Sequence, residues 1–196
     1  MTVLDSIRDT LELEKVESHL HPEGSFRIED HEVPTGREEI WRFTPLGRLR
    51  GLASDATLDG DALKVEVDLP EGVTGASVPV AASARGASGL VPIDRVSARA
   101  WQAAPAVFEI TVPEEYVSER AATVHLTGTG VEVASAGHLL VRAGKHSRAT
   151  VVVEYNGSAT YAENVEIGVE DGAELTFVTV QDWADDAVPM VGQHAS

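Results

Sequence analysis

The sequence predicts a mainly β chain led by a small helical region, and three observations carry that prediction. Residues 121–196 are crowded with short apolar segments separated by glycines, residues 1–55 mix charge and apolar side chains at helical spacing, and Leu139–Tyr155 can be laid over Val165–Gln181 at an offset of 26. Helical spacing first appears in Val3, Leu4, Ile7, Leu11, Val16 and Leu20, an amphipathic helix over 3–20 stopped by His21 and Pro22. Thr35-Gly36-Arg37-Glu38 then has capping-box spacing, which predicts a helix through Trp41 and Phe43 that ends before Pro45. Leu46, Leu49 and Leu52 suggest one further helical turn.

Residues 56–120 read as a mixed connector. Leu63, Val65, Val67 and Leu69 alternate with Lys64, Glu66 and Asp68, the pattern of a strand with one wet face. Residues 70–92 are rich in Gly, Ala, Ser and Pro and read as a loop, followed by a short helix over Arg95–Ala103 and a strand over Val107–Val112. Beyond residue 121 the expected strands are Thr123–Leu126, Val131–Val133, Leu139–Val141, Ala149–Glu154, Val165–Val169 and Leu175–Val180, with glycine corners between them. The offset of 26 matches Val141 with Ile167 and Thr150 with Thr176. A repeat of that length suits a β-solenoid, and an antiparallel sandwich gives the same strand density.

Composition limits function. Across 196 residues, 15 Lys and Arg face 32 Asp and Glu, a net charge of −17, so nucleic acid and anionic membrane surfaces are repelled. Charge is also unevenly spread: residues 149–196 hold nine acids and no Lys or Arg, whereas residues 1–50 hold seven basic and eleven acidic residues. No cysteine is present, which excludes disulfides, thiol catalysis and thiolate ligation of a cluster from this chain alone. The first residues lack a secretion-signal pattern and no apolar run approaches the roughly 20 residues a membrane helix needs, so a cytoplasmic location is expected. Asn156-Gly157-Ser158 is then a turn rather than a glycosylation site.

Few side chains invite chemistry. Gly144-Lys145-His146 lacks Walker-A spacing and Gly128-Thr129-Gly130 lacks a third glycine, so both read as turns. His19 and His21, with His31 nearby, could ligate a metal, but histidines at a helix end beside Pro22 explain the same letters. His125, His138 and His146 read as strand or corner residues. Arg37, Arg42, Arg48 and Arg50 form a basic stretch expected to pair with carboxylates, and Trp41 and Phe43 are expected to anchor their helix by packing. No catalytic, cofactor-binding or metal-ligating residue is assigned.

Two stretches go further. Pro34 to Leu46 (PTGREEIWRFTPL) resembles the N-terminal signature of the SufB/SufD family, the iron-sulfur cluster assembly scaffolds of the SUF system. Tyr161-Ala162-Glu163-Asn164-Val165, then Gly172-Ala173-Glu174-Leu175-Thr176 and Val178 to Trp183, is similar to that family's β-helix coils. The resemblance implies a helical N-terminal region and a right-handed parallel β-helix core, its first coils falling in 121–196. It also implies a non-catalytic subunit acting with SufB and the SufC ATPase. The absent cysteine favours the SufD branch, since SufB-type chains use cysteine to receive sulfur. A cluster is then expected only transiently in the complex, with ATP on the SufC partner and none of these groups on this chain alone. The resemblance breaks off at Ser196, so the later coils and the SufC-docking helical segment are absent, as in an N-terminal portion or a short form. A second reading is a soluble β-solenoid carbohydrate-active protein, either a polysaccharide lyase or a binding module, with Asp182, Asp185 and Asp186 on calcium. Those acids fall inside the SufD-like stretch and read instead as a solvated edge.

Overall fold

A computed structural model of the chain describes residues 24–61 and 63–196. The helix expected over 3–20, with His19 and His21, lies outside the described residues. The chain is mainly β, a β-solenoid of about three turns with little helix. Its strands are β1 (Leu63–Asp68), β2 (Thr74–Pro79), β3 (Ala106–Val112), β4 (Ala122–Ala143), β5 (Arg148–Val169), β6 (Glu174–Trp183) and β7 (Val188–Ala195). One α-helix, α1 (Arg95–Ala103), occurs among the described residues.

β4 and β5 are 22 residues each, about 70 Å if straight, and both turn a corner instead. The first half of β5 pairs in parallel with β6 through Gly157, and its second half pairs in parallel with β7 from Thr160 onward. β4 lies parallel to β5 along both halves, with a register shift between Gly130 and Ala134. Two faces result. The first is built from β1, early β4, early β5 and β6; the second from β2, β3, late β4, late β5 and β7. Glycine makes the corner possible, because Gly128 and Gly157 are register partners and their backbones are in close approach. A Cβ on Gly128 would enter the Ser158 backbone, and Gly157 also sits at φ +76°.

The repeat seen in sequence is the register of this sheet: Val141 lies opposite Ile167 and Thr150 opposite Thr176. Stacked equivalents bury like against like. Val124, Leu126, Val151 and Val153 from the first face meet Ile110, Leu139, Val141 and Val165 from the second. Each such side chain contributes roughly 1.5–3 kcal/mol on burial. A second core lies outside the second face, where Val96 and Ala100 of α1 join Trp41, Leu49, Leu52, Leu58, Ala136 and Ala162. The molecule therefore has three layers, and late β5 is covered on both sides.

Several expectations are corrected. Only half of the expected capping box forms: Glu38 accepts from the Thr35 amide and hydroxyl, but Thr35 does not cap the Glu38 amide. The helix through Phe43 is a single 3-10 turn, Glu39–Trp41, because Pro45 leaves too few residues to repay helix nucleation. Two more 3-10 turns, Ile28–Asp30 and Leu46–Arg48, complete the described part of the segment expected to be helical. The loop reading of 70–92 misses β2, whose small side chains carry no alternation; pairing with β3 sets its conformation. β3, placed in the connector, is the first parallel strand of the second face. β1 and β2 run antiparallel to their neighbours and cover what would be open sheet edges. Strand β7 was not expected, and Val131–Val133 is no separate strand but the corner of β4.

Arginines on α1 fasten the N-terminal segment. Arg99 donates from Nη1 to the carbonyls of Gly51 and Leu52 and from Nη2 to that of Ala56. One turn earlier, Arg95 Nη1 donates to the carbonyls of Ile28 (2.9 Å) and His31 (2.7 Å). Loops without a ladder of their own thus have their carbonyls satisfied by one helix face. Replacing Arg99 by Ala should cost about 2–4 kcal/mol, since one buried and two part-buried carbonyls lose a charged donor. Hydrogen exchange should show faster exchange across residues 49–58, with the amides of Val151–Tyr155 unchanged.

Candidate functional site

Polar chemistry concentrates on late β5, where Glu163, Asn164 and Glu166 are all buried. Strand alternation sends Glu163 inward between the two faces and Asn164 and Glu166 outward beneath α1 and the 80–92 loop. Glu163 Oε2 accepts from the Tyr155 hydroxyl at 2.6 Å and Oε1 from the Tyr161 hydroxyl at 2.9 Å. Tyr161 needs the space beside Gly137, the register partner of Glu163, because a Cβ there would coincide with its hydroxyl. Burial outweighs the two hydrogen bonds and raises the Glu163 carboxyl from 4.5 to about 7. Both tyrosine hydroxyls are pushed up, first by burial and then by the adjacent carboxylate.

On the outer side, Glu166 Oε1 accepts from His138 Nε2 at 2.8 Å and from the Gly86 amide at 2.7 Å. Oε2 accepts from the Ser88 hydroxyl at 2.6 Å and, more weakly, from the Ser88 amide at 3.3 Å. Burial opposes ionisation of Glu166, but bonds from His138, Ser88 and the Gly86 amide outweigh it and hold the carboxyl down to about 2. Trp101 of α1 meets the His138 ring edge-on at 5.2 Å, and the Arg85 guanidinium lies 4.1 Å from the Trp101 ring centre. Phe26 closes the stack at 4.8 Å from Trp101. Asn164 is tied to α1 through Ser97, whose hydroxyl donates to Oδ1 at 2.5 Å while Nδ2 donates to its carbonyl at 2.9 Å.

This arrangement is a clasp rather than a reaction centre. Ser, His and Glu meet, but the serine hydroxyl donates directly to the carboxylate, so His138 has no hydroxyl to deprotonate. Both His138 and Glu166 side chains are fully enclosed. What the network can do is fix α1 and the 80–92 loop at one position on the solenoid.

The structure disperses the other sequence candidates. His31 bonds the Ser25 carbonyl at 2.8 Å, His125 pairs with Glu154 at 2.9 Å, and His146 occupies a corner at φ +57°. Gly144-Lys145-His146 is the β4–β5 turn, and Gly128-Thr129-Gly130 lies at the β4 bend. Asp182 lies in β6 and Asp185 and Asp186 in the turn after it, Asp186 accepting from Ser158 at 2.6 Å. No group of three or more metal-ligating side chains converges among the described residues. Arg42 reaches Glu39 at 3.9 Å and Arg50 bonds Thr160, while Arg37 and Arg48 have no ion pair among the described residues. Trp41 is buried, but Phe43 is 88% exposed, correcting its expected packing role: the short turn points the two rings to different surroundings. Sequence reasoning missed Glu163, Asn164 and Glu166 as a set. Their only signal was polar letters at three of the four positions 163–166.

These features define a parallel, two-faced β-solenoid protein with a helix-and-loop outer layer held on its central strand. Residues 125–196, from early β4 through β7, match the SufBD core domain of SUF system FeS cluster assembly. An iron-sulfur cluster assembly SufBD family protein of Mycobacterium leprae is 39% identical over 171 residues, 87% of this chain and 43% of that protein. SufBD family proteins of Mycobacterium bovis and Mycobacterium tuberculosis are 39% identical over 184 residues, 92% of this chain and 46% of theirs. The chain belongs to the SufBD family. It spans less than half the length of these relatives, and no solved structure matches it significantly.

Glu163 makes stability depend on pH in a definite direction. Its folded pKa of about 7 lies above the ordinary 4.5, so between those values the folded chain keeps a proton that the unfolded chain gives up. Its contribution therefore falls as pH rises from about 4.5 to 7 and levels off above, by roughly 3 kcal/mol in all. Relative to the native chain, Glu163→Gln should gain stability across that window and show no change in the difference below it. Urea unfolding of both chains at a series of pH values checks this; parallel curves would contradict it.

Proposed function

We propose that this chain serves iron-sulfur cluster assembly as a SufD-like, non-catalytic scaffold subunit. Its partners in this reading are a SufB-like subunit, with which it pairs, and a SufC-like ATPase, all in the cytoplasm. The observation that carries the reading is a SufBD-family chain with no cysteine at all. A subunit that receives persulfide sulfur or holds iron through thiolates needs that residue, so those steps fall to the partner. The rigid solenoid supplies shape, and its basic-free stretch over 149–196 supplies an acidic surface. Sulfur transfer, cluster ligation and ATP hydrolysis then belong to the assembled complex, and the cluster is its product rather than a resident group of this chain.

The reading is tested by anaerobic reconstitution with ferrous iron and sulfide, followed by desalting, iron analysis and absorption spectroscopy. The chain alone should retain no stoichiometric cluster, whereas the mixture with its SufB-like partner should. A cluster held stoichiometrically by the isolated chain would overturn the assignment.

A further inference from the structure

The turn between Thr35 and Pro45 displays apolar side chains that the fold does not use. Phe43 is 88% exposed and Ile40 56% exposed, while Trp41 between them is buried in the outer core. Leaving a phenylalanine in water forgoes the free energy of burying it. A lone exposed ring is common on protein surfaces, so its mounting is the informative part. Trp41 roots the segment, Glu38 accepts from the Thr35 amide, the Thr35 hydroxyl and the Gly36 amide, and the Thr44 amide closes onto the Trp41 carbonyl at 2.9 Å. Such a segment presents its rings already ordered, which removes part of the entropic cost of association.

Charge at this place opposes that of the rest of the molecule. Residues 36–53 hold four arginines, no lysine and two glutamates, in a chain whose net charge is −17. Arg37, Arg42, Arg48 and Arg50 are all exposed. Glu38 is taken up by the Thr35 and Gly36 donors, Glu39 lies 3.9 Å from Arg42, and the Arg42 guanidinium sits 5.6 Å from the Phe43 ring centre. Arginine rather than lysine suits bidentate recognition of carboxylates, and aromatic and arginine side chains dominate the energetics of interface centres.

We propose that Ile40, Arg42 and Phe43 form a docking knob for a protein partner offering an apolar socket edged by carboxylates. Local charge complementarity selects that occupant. Two copies of a −17 chain repel each other overall, and anionic bilayers and nucleic-acid backbones are repelled likewise. The proposal does not rest on the cluster-assembly reading, since it follows from exposure, mounting and charge alone.

The test replaces Phe43 with photoreactive p-benzoylphenylalanine in the full chain, irradiates producing cells, and maps the adducts by mass spectrometry. The expected product is one intermolecular adduct, on a protein segment that combines apolar and acidic residues. Combining R37E, R42E and R48E should reduce that adduct at least tenfold, about 1.4 kcal/mol, without changing the thermal midpoint, because these side chains are exposed. Titration of the purified partner should then show at least tenfold weaker binding by Phe43→Ala. Adducts confined to residues 1–23 of the same chain would show that the chain itself covers the ring and would overturn the proposal. Adducts with a second copy or with lipid, no adduct, or an adduct insensitive to charge reversal would overturn it equally.

Discussion

An unpaired polar side chain is costly on a strand covered on both faces, and β5 carries Glu163, Asn164 and Glu166 within its buried half. Everything around that half is arranged to satisfy them. Inward, two tyrosines take up the Glu163 carboxyl; outward, Ser97 of α1 takes Asn164, and the 80–92 loop with His138 takes Glu166. The apolar cores supply most of the free energy, but apolar contacts tolerate sliding. Directional bonds to buried carboxylates do not, and they fix where the outer layer sits.

The two buried carboxylates of this strand, Glu163 and Glu166, are driven in opposite directions by their surroundings. Glu163 has only two hydroxyl donors against full burial and is raised, whereas Glu166 has an imidazole, a hydroxyl and backbone amides and is lowered. The lowered group stabilises the fold above ordinary carboxylate pKa values and loses that contribution as pH falls towards about 2. The raised group does the reverse between about 4.5 and 7. A solenoid that carries both is clamped on its outer side at neutral pH and is sensitive on its inner side.

Much of the solenoid was legible because its repeat is a matter of side-chain identity. The pairs Val141 with Ile167 and Thr150 with Thr176 could be read from sequence and reappear as register partners. Helix α1 was equally legible, with bounds that agree, since Asp94 caps it and Pro105 follows it. Strand β2 was hidden because its residues acquire extended geometry only from β3. The helix through Phe43 failed because Thr35 and Glu38 bond each other without capping a helix, and Pro45 leaves room for only one 3-10 turn. The clasp was illegible for a different reason: Ser88, His138 and Glu166 are far apart in sequence, and only the stacking of coils beneath the 80–92 loop brings them together.

Family membership and architecture agree on a β-solenoid of the SufBD family. Buried polar bonds, more than apolar contact, seat the outer layer on the solenoid. Native-state hydrogen exchange on Glu166→Ala tests this most directly, read at the amides of Gly86 and Ser88 and of Val151 to Tyr155. The account predicts a loss of protection of about 100-fold at Gly86 and Ser88, equivalent to roughly 2.7 kcal/mol, with the inner strand amides unchanged. Unchanged protection at Gly86 and Ser88 would contradict it and assign the seating of the outer layer to apolar packing alone.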